Sequence, residues 1–206
     1  MSWIDEQLVA RGIREARVLD AMQRVPRDAF VRPDLVRFAY DDRALAIGEG
    51  QTISQPYMVA AMTEALHLQG TERVLDVGTG SGYQAAILGV LAREVIGIER
   101  VETLASRARE TLAALGCRNI EIIVGDGSVG YAPGAPYDGI VVGAAAPRVP
   151  MSLRNQLADG GRLVIPVGAF DHQELMVVTR HGDRFDESRR EGCVFVRLVG
   201  KEAWSP

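Results

Sequence analysis

RVLDVGTGSG, residues 73–82, begins as an apolar strand, carries an acid, Asp76, near its end, and then places glycines at 78, 80 and 82. Backbone that turns this sharply, and that a ligand approaches closely, requires residues without a Cβ. The helix that follows aims its free N–H groups at whatever rests on the loop. This is the turn after the first strand of a nucleotide-binding α/β sheet.

The details of the turn discriminate between cofactors. The dinucleotide fingerprint G-x-G-x-x-G needs its third glycine at 83, where this chain has Tyr83. A carboxylate at 76 repels a pyrophosphate and suits the ammonium of an amino-acid-bearing cofactor. The pattern D-x-G-x-G-x-G, with Thr79 and Ser81 between its glycines, resembles the first motif of S-adenosylmethionine-dependent methyltransferases. A plain tight turn would need neither the acid nor the strand–helix setting.

Downstream, strand and helix signals alternate. Residues 83–92 are apolar nearly all round, as a helix buried against a sheet must be. A second strand over 94–98 is closed by Glu99, 19 residues beyond Gly80, close to the about 20 at which an acid holds ribose hydroxyls. A carboxylate accepts from both hydroxyls of a vicinal diol. A solvated strand end, or a pair with Arg100, is the plainer role for Glu99, and the spacing favours ribose. Val101, Leu104, Ala105, Ala108, Leu112 and Leu115 mark an amphipathic helix ended by Gly116.

The third strand, 120–124, leads into Gly125, Asp126, Gly127 and Ser128. Asp126 either accepts from the exocyclic amine of adenine, with glycine on each side leaving room for the ring, or makes an Asx turn that caps the next segment. The fourth strand, 137–142, runs into GAAAP at 143–147. A helix near 151–157, a turn at Gly160 and Gly161, a strand over 162–167 and β-rich runs at 175–179 and 194–199 follow. Five βα alternations predict an α/β fold: a doubly wound, mostly parallel, Rossmann-like sheet with an N-terminal helical cap, antiparallel C-terminal strands and ligands at the strand C-terminal ends. Asp76, the glycines, Glu99, Asp126 and the 143–147 loop all fall on that one edge.

Composition bounds the remaining classes. The chain has 206 residues, 47% of them hydrophobic, and fits one domain over 1–206, with a helical segment 1–50 and a cofactor-binding and catalytic core 51–206. No apolar run reaches the about 18 residues of a membrane span, and MSWIDEQ lacks the basic and apolar regions of a signal peptide. Cys117 and Cys193 stand far apart and outside metal spacing, so reduced thiols, a cytoplasmic location and no metal are expected. His67, His172 and His181 also lack ligand spacing. Net charge is −4 with acids and bases interleaved, which is no footprint for nucleic acid. A monomer without membrane or nucleic-acid partners is expected.

Ahead of the glycine loop, Ile4 and Leu8 lie one helical turn apart, and Val18, Met22 and Val25 form a second stripe that Pro26 stops. Pro33 opens a short third helix through Leu35 and Phe38, and 46–50, with two glycines, reads as a loop. Pro56 suits a first helical turn, and Met58, Ala61, Met62, Ala65 and Leu66 then form one buried face. Serine before a helix is commonly an N-cap. Spacing alone ranks that role for Ser54 above a catalytic one.

What the fourth loop lacks narrows the acceptor. Enzymes that methylate amino groups of nucleic acids carry an Asn/Asp-Pro-Pro-aromatic motif there, and methylation at carbon 5 of cytosine needs a Pro-Cys nucleophile. This chain reads GAAAP, neither cysteine follows a proline, and no G-x-S-x-G elbow occurs. A small, uncharged loop suits an acceptor that is already nucleophilic. A carboxylate, ionised at pH 7, needs positioning for in-line attack rather than a strong base.

Over nearly its whole length the chain resembles the protein-L-isoaspartate (D-aspartate) O-methyltransferases. GQTISQPYMV at 50–59 is the most specific marker, and VLDVGTGSGYQAA, VGDGS, PYDGIVVGAAAP, LADGGRLVIPVG and VFVRLVG stand in the family's order. The resemblance implies methyl transfer from S-adenosyl-L-methionine to the α-carboxylate of isoaspartyl residues in damaged proteins and peptides, with S-adenosyl-L-homocysteine as product. The ester then closes to a succinimide, whose hydrolysis returns some normal aspartate. By resemblance Ser54 becomes the active-site serine, against its local ranking as a cap. Asp76, Gly78, Thr79, Gly80, Ser81 and Gly82 become the cofactor loop, Glu99 with Arg100 the ribose end, and Asp126 with Gly127 the adenine contacts. The acceptor side takes Thr52, Ile53, Ala144, Ala145, Pro166 and Val196. Gly143 stands where the family often has threonine, and Arg197 interrupts a stretch that more often reads VRFVPL.

Other readings compete with this one. The same fold serves methylation of a small-molecule carboxylate or hydroxyl, and a non-catalytic module would bind the cofactor without turnover. An NAD-dependent enzyme is disfavoured by Tyr83 and Asp76.

Overall fold

Hydrophobic runs bounded by turn residues become the strands of a seven-stranded sheet in the computed structural model, which describes residues 2–205. Met1 and Pro206, the ends of the expected 1–206 domain, lie outside the described residues.

The N-terminal segment is helical. A capping box between Ser2 and Asp5 opens α1 (Trp3–Gln7), and α2 (Ala16–Arg24) buries Val18, Ala21 and Met22. Two 3₁₀ turns follow, Arg27–Phe30 and Pro33–Phe38, so the expected third helix is of the tighter kind. The expected loop at 46–50 is instead a hairpin of β1 (Leu45–Gly48) and β2 (Gln51–Ile53). Its glycines are the turn: Gly48, Glu49 and Gly50 all adopt positive φ. Then α3 (Pro56–Leu66) packs on the sheet.

The core alternates strand and helix: β3 (Arg73–Val77), α4 (Tyr83–Leu91), β4 (Glu94–Glu99), α5 (Glu102–Ala114), β5 (Ile120–Val124), β6 (Tyr137–Val142) and α6 (Met151–Asn155). Three longer strands close the sheet, β7 (Leu157–Gly168), β8 (Gln173–His181) and β9 (Arg184–Cys193). The order is β5-β4-β3-β6-β7-β8-β9; the first five pair in parallel and the last two antiparallel. Central parallel strands are covered on both faces, and their side chains divide accordingly. Val74, Val95, Val141 and Val164 face α2, α3 and α4, while Leu75, Ile96, Ile140 and Leu163 face α6 and the 3₁₀ turns after β5.

Three further sequence expectations change. The turn at Gly160 and Gly161 lies inside β7, where the register to β6 jumps. The helix expected to 157 ends at Asn155. The run 194–199 is no strand of the sheet: Ala145 clasps it by two backbone bonds, donating to Val196 O and accepting from Leu198 N, each 2.7 Å.

Leu75 is wholly buried in the second layer. Leu75→Ala is expected to lower stability by about 2–5 kcal/mol, read as a drop in denaturant midpoint with an unchanged slope.

Candidate active site

The strand that carries Asp76 is central, so burial is forced on its C-terminal end. Asp76 is 1% exposed, and neither carboxylate oxygen has a hydrogen-bond partner. Burial raises its pKa to about 7, with the charge of Glu99 adding to the shift. An unpaired buried carboxylate is costly. It lines a small cavity with Thr52, Ser54, Ser81 and Gly143, and a cationic ligand there would satisfy it.

The glycine loop folds as its spacing requires. Gly78, Gly80 and Gly82 have φ of 76°, 55° and 91°, a region that side chains rarely adopt. Thr79 closes the turn: its hydroxyl donates to Asp76 O at 3.1 Å, and its carbonyl accepts from Gly82 N at 2.9 Å. Ser81 lines the Asp76 cavity. Tyr83, where a dinucleotide site would have glycine, is buried against Phe30 and beneath Arg27.

Glu99 ends β4 at 5% exposure. One oxygen accepts from Gly80 N and the other from Val101 N, both at 2.9 Å. It is therefore neither a solvated strand end nor, among the described residues, an ion-pair partner of Arg100. Both side chains line a narrow cleft of about 60 Å³ with Gly78, Gly80, Gly127, Ala144 and Val196. A Cβ at Gly127 would lie 2.6 Å from Val77 Cγ1, so tight packing on β3 demands that glycine.

Asp126 takes the Asx-turn role. Its carboxylate accepts from Ser128 N at 2.9 Å, Ser128 Oγ at 2.7 Å and Lys201 N at 2.8 Å. Although burial works in the other direction, these donors hold its pKa below the usual value. Asp126 does not line the cleft that Gly127 lines. Gly200 crosses directly over it, where any Cβ would overlap Asp126 Oδ1.

Ser54 is not an N-cap. Gln55 occupies that position of α3 and caps nothing with its side chain, and no protein hydrogen bond engages the Ser54 hydroxyl among the described residues. Ser54 instead borders both the Asp76 cavity and a wide cleft of about 560 Å³. Thr52 and Gly143 touch these two spaces and the Glu99 cleft, so all three meet there.

The acceptor side differs in part from expectation. Ile53 lines the Asp76 cavity, Ala144 the Glu99 cleft, and Val196 both the Glu99 cleft and the wide one. Ala145 and Pro166 line none of the three. Ala145 is 1% exposed and docks residues 196–198, and Pro166 lies inside β7, accepting from Ala146 N at 3.0 Å. Sequence reasoning missed Tyr57, Met58, His172 and 191–195 on the wide cleft. It also missed buried Gln173, whose amide accepts from Phe195 N at 2.7 Å and fixes that wall. No group of His, Cys, Asp and Glu among the described residues is arranged to hold a metal ion.

A family model described as protein-L-isoaspartate(D-aspartate) O-methyltransferase matches residues 3–203. The chain belongs to this family. Relatives named protein-L-isoaspartate O-methyltransferase include one from Methanoregula boonei, 54% identical over 98% of this chain and 93% of its own. Another, from Methanoculleus marisnigri, is 52% identical over 98% and 91%. A Plasmodium falciparum crystal structure, described as this enzyme in complex with S-adenosyl-L-homocysteine, superposes with a TM-score of 0.82 at 29% identity, covering 94% of this chain and 95% of that one.

The residues present fit S-adenosylmethionine. The orphaned Asp76 carboxylate matches its ammonium, and buried Glu99, held by two backbone donors, matches its ribose diol. Asp76 must be ionised to meet an ammonium, and its pKa without the ligand is about 7. Binding therefore releases a proton below that pH. Affinity for S-adenosylhomocysteine is expected to rise as pH approaches about 7 and to flatten above it. Asp76→Asn is expected to weaken binding and erase the slope, as calorimetry in buffers of different ionisation enthalpy reads directly.

Proposed function

We propose that this chain methylates the α-carboxylate of L-isoaspartyl residues in aged proteins and peptides, with D-aspartyl residues as a second acceptor class. The observation that carries the reading is the place of Ser54, whose uncommitted hydroxyl stands between the Asp76 cavity and the wide cleft. When bound, S-adenosylmethionine supplies an electrophilic methyl group on a sulfonium. Asp76 would hold the ammonium, Glu99 would receive the ribose hydroxyls, and Gly127, on the same cleft as Glu99, would border the base. Asp126 has one acceptor site left beyond its three backbone and hydroxyl donors, enough for an adenine amine. Ligand pockets run to roughly 300–1,000 Å³, so a bound cofactor needs more room than the Glu99 cleft of about 60 Å³ offers by itself.

On the acceptor side no base is required, because the carboxylate is already charged at pH 7. Ser54 donates to one oxygen and so turns the other toward the methyl group. Cys193, on the same cleft, is no rival nucleophile: burial, with Glu191 and Glu174 nearby, pushes its thiol up to about 11. The breadth of the wide cleft, and its wall of chain at 191–196, suit a polypeptide better than a small acid. The same reading has the chain act as a monomer in the cytoplasm, as one domain over 1–206, on neither nucleic acid nor membrane. Two free cysteines and evenly mixed charge support it. A labelled methyl donor offered with matched aspartyl and isoaspartyl peptides tests the activity; equal labelling of both, or labelling of neither, would sink it.

Two substitutions test the residues. Glu99→Ala is expected to weaken cofactor binding by roughly 1.5–3 kcal/mol, the range for hydrogen bonds to a charged group; unchanged affinity by calorimetry removes Glu99 from the site. Ser54→Ala is expected to lower kcat/KM for isoaspartyl peptide several-fold to about tenfold, the worth of one neutral hydrogen bond, with cofactor affinity nearly constant. Lost stability at unchanged kcat/KM would return Ser54 to a structural role.

A further inference from the structure

Arg27 is a charged side chain with no access to solvent. Among the described residues no carboxylate pairs with it. Its partners are neutral: Nε donates to Ala39 O and Nη2 to Ser54 O, both at 2.7 Å, while Nη1 has no acceptor. The guanidinium lies over the Tyr83 ring, 4.9 Å from its centroid. A buried cation with an orphaned donor is an expensive way to fill space. An apolar side chain would pack the same site more cheaply, so the groups it joins carry the explanation.

Those groups belong to three separate segments of the chain. Ala39 follows the second 3₁₀ turn of the N-terminal segment. Tyr83 is the first residue of α4, directly after Gly82 of the cofactor loop. Ser54 is the joint between β2 and α3, a place with no side-chain cap to fix it. Arg27 is the one protein group donating to the Ser54 carbonyl among the described residues. Two bonds from one planar fork fix the orientation of the guanidinium and of the carbonyl it holds, which one ammonium cannot do. We propose that Arg27 is a positioning residue for methyl transfer: it sets the backbone of Ser54 so that the hydroxyl faces the acceptor, and through Tyr83 it ties that aim to the glycine loop. The proposal rests on the role of Ser54 given above.

A double-mutant cycle tests it, with Arg27→Lys and Ser54→Ala alone and combined. Arg27→Lys is expected to lower kcat at saturating isoaspartyl peptide by several-fold and by no more than about tenfold, because a residue acting through Ser54 cannot cost more than the Ser54 hydroxyl itself. Affinity for S-adenosylhomocysteine is expected to stay within about twofold, since no cofactor contact is touched. In the Ser54→Ala background the same change is expected to cost less than about twofold, because a residue that acts through Ser54 has nothing left to aim. A lowered melting temperature with unchanged kcat, or an equal loss in both backgrounds, overturns the proposal. Unchanged kinetics of Ser54→Ala alone refute the reading of Ser54 itself, and with it the proposal, whatever Arg27→Lys does. Should Arg27→Lys not fold, Arg27→Gln, which keeps one amide donor, is judged by the same criteria.

Discussion

A carboxyl group without a hydrogen-bond partner is buried at the C-terminal end of the central strand, and the surrounding chain is shaped by having to tolerate it. Asp76 shares a sheet face with Val74, where every neighbouring strand contributes apolar side chains. Folding alone gains nothing from that carboxylate. Unpartnered, it raises the energy of the protein until a positive charge is brought to that place. The second acid, Glu99, has the opposite treatment: two backbone N–H groups hold it, one from the loop itself, so its position is set before any ligand arrives. One acid is left without a partner and the other is fixed in place.

The segments outside the sheet hold this arrangement from two sides. From the N-terminal side, Arg27 reaches under the β2–α3 joint. From the C-terminal side, residues 200–202 close on the turn after β5, through Lys201 N to Asp126 and Glu202 N to Ser128 Oγ, while Ser152 binds the Glu202 carboxylate. Neither contact is local in sequence; the partners are 27 and 75 residues apart. Sites assembled this way are rigid where they need precision, because each wall is anchored to a different element.

The legible parts of the sequence were those where one physical requirement acts alone. Parallel strands buried on both faces read as unbroken apolar runs, and positive φ at 78, 80 and 82 can be met cheaply only by glycine. Legibility failed where two requirements compete. Ser54 precedes a helix and has the chemistry of a cap, yet tertiary contacts move the cap to Gln55 and leave the hydroxyl free. Asp126 satisfies a local turn and a contact 75 residues away with the same carboxylate, and only the first has a sequence signature. Ala145 and Pro166 lie in the right loop and strand but face the packing, a distinction that depends on register. β9 carries almost no apolar alternation, so nothing in its residues announces a strand.

That strand is one of the two edges of the sheet and, among the described residues, pairs only with β8. Six of its ten residues are charged, of both signs: Arg184, Asp186, Glu187, Arg189, Arg190 and Glu191. Its last residues also form part of the wide cleft wall. An enzyme that receives damaged polypeptide receives loosened backbone with unpaired N–H and C=O groups, and a bare edge would capture such chains whatever their chemistry. Charges along β9 make indiscriminate strand addition costly. This edge of the sheet is therefore a poor template for strands of another chain.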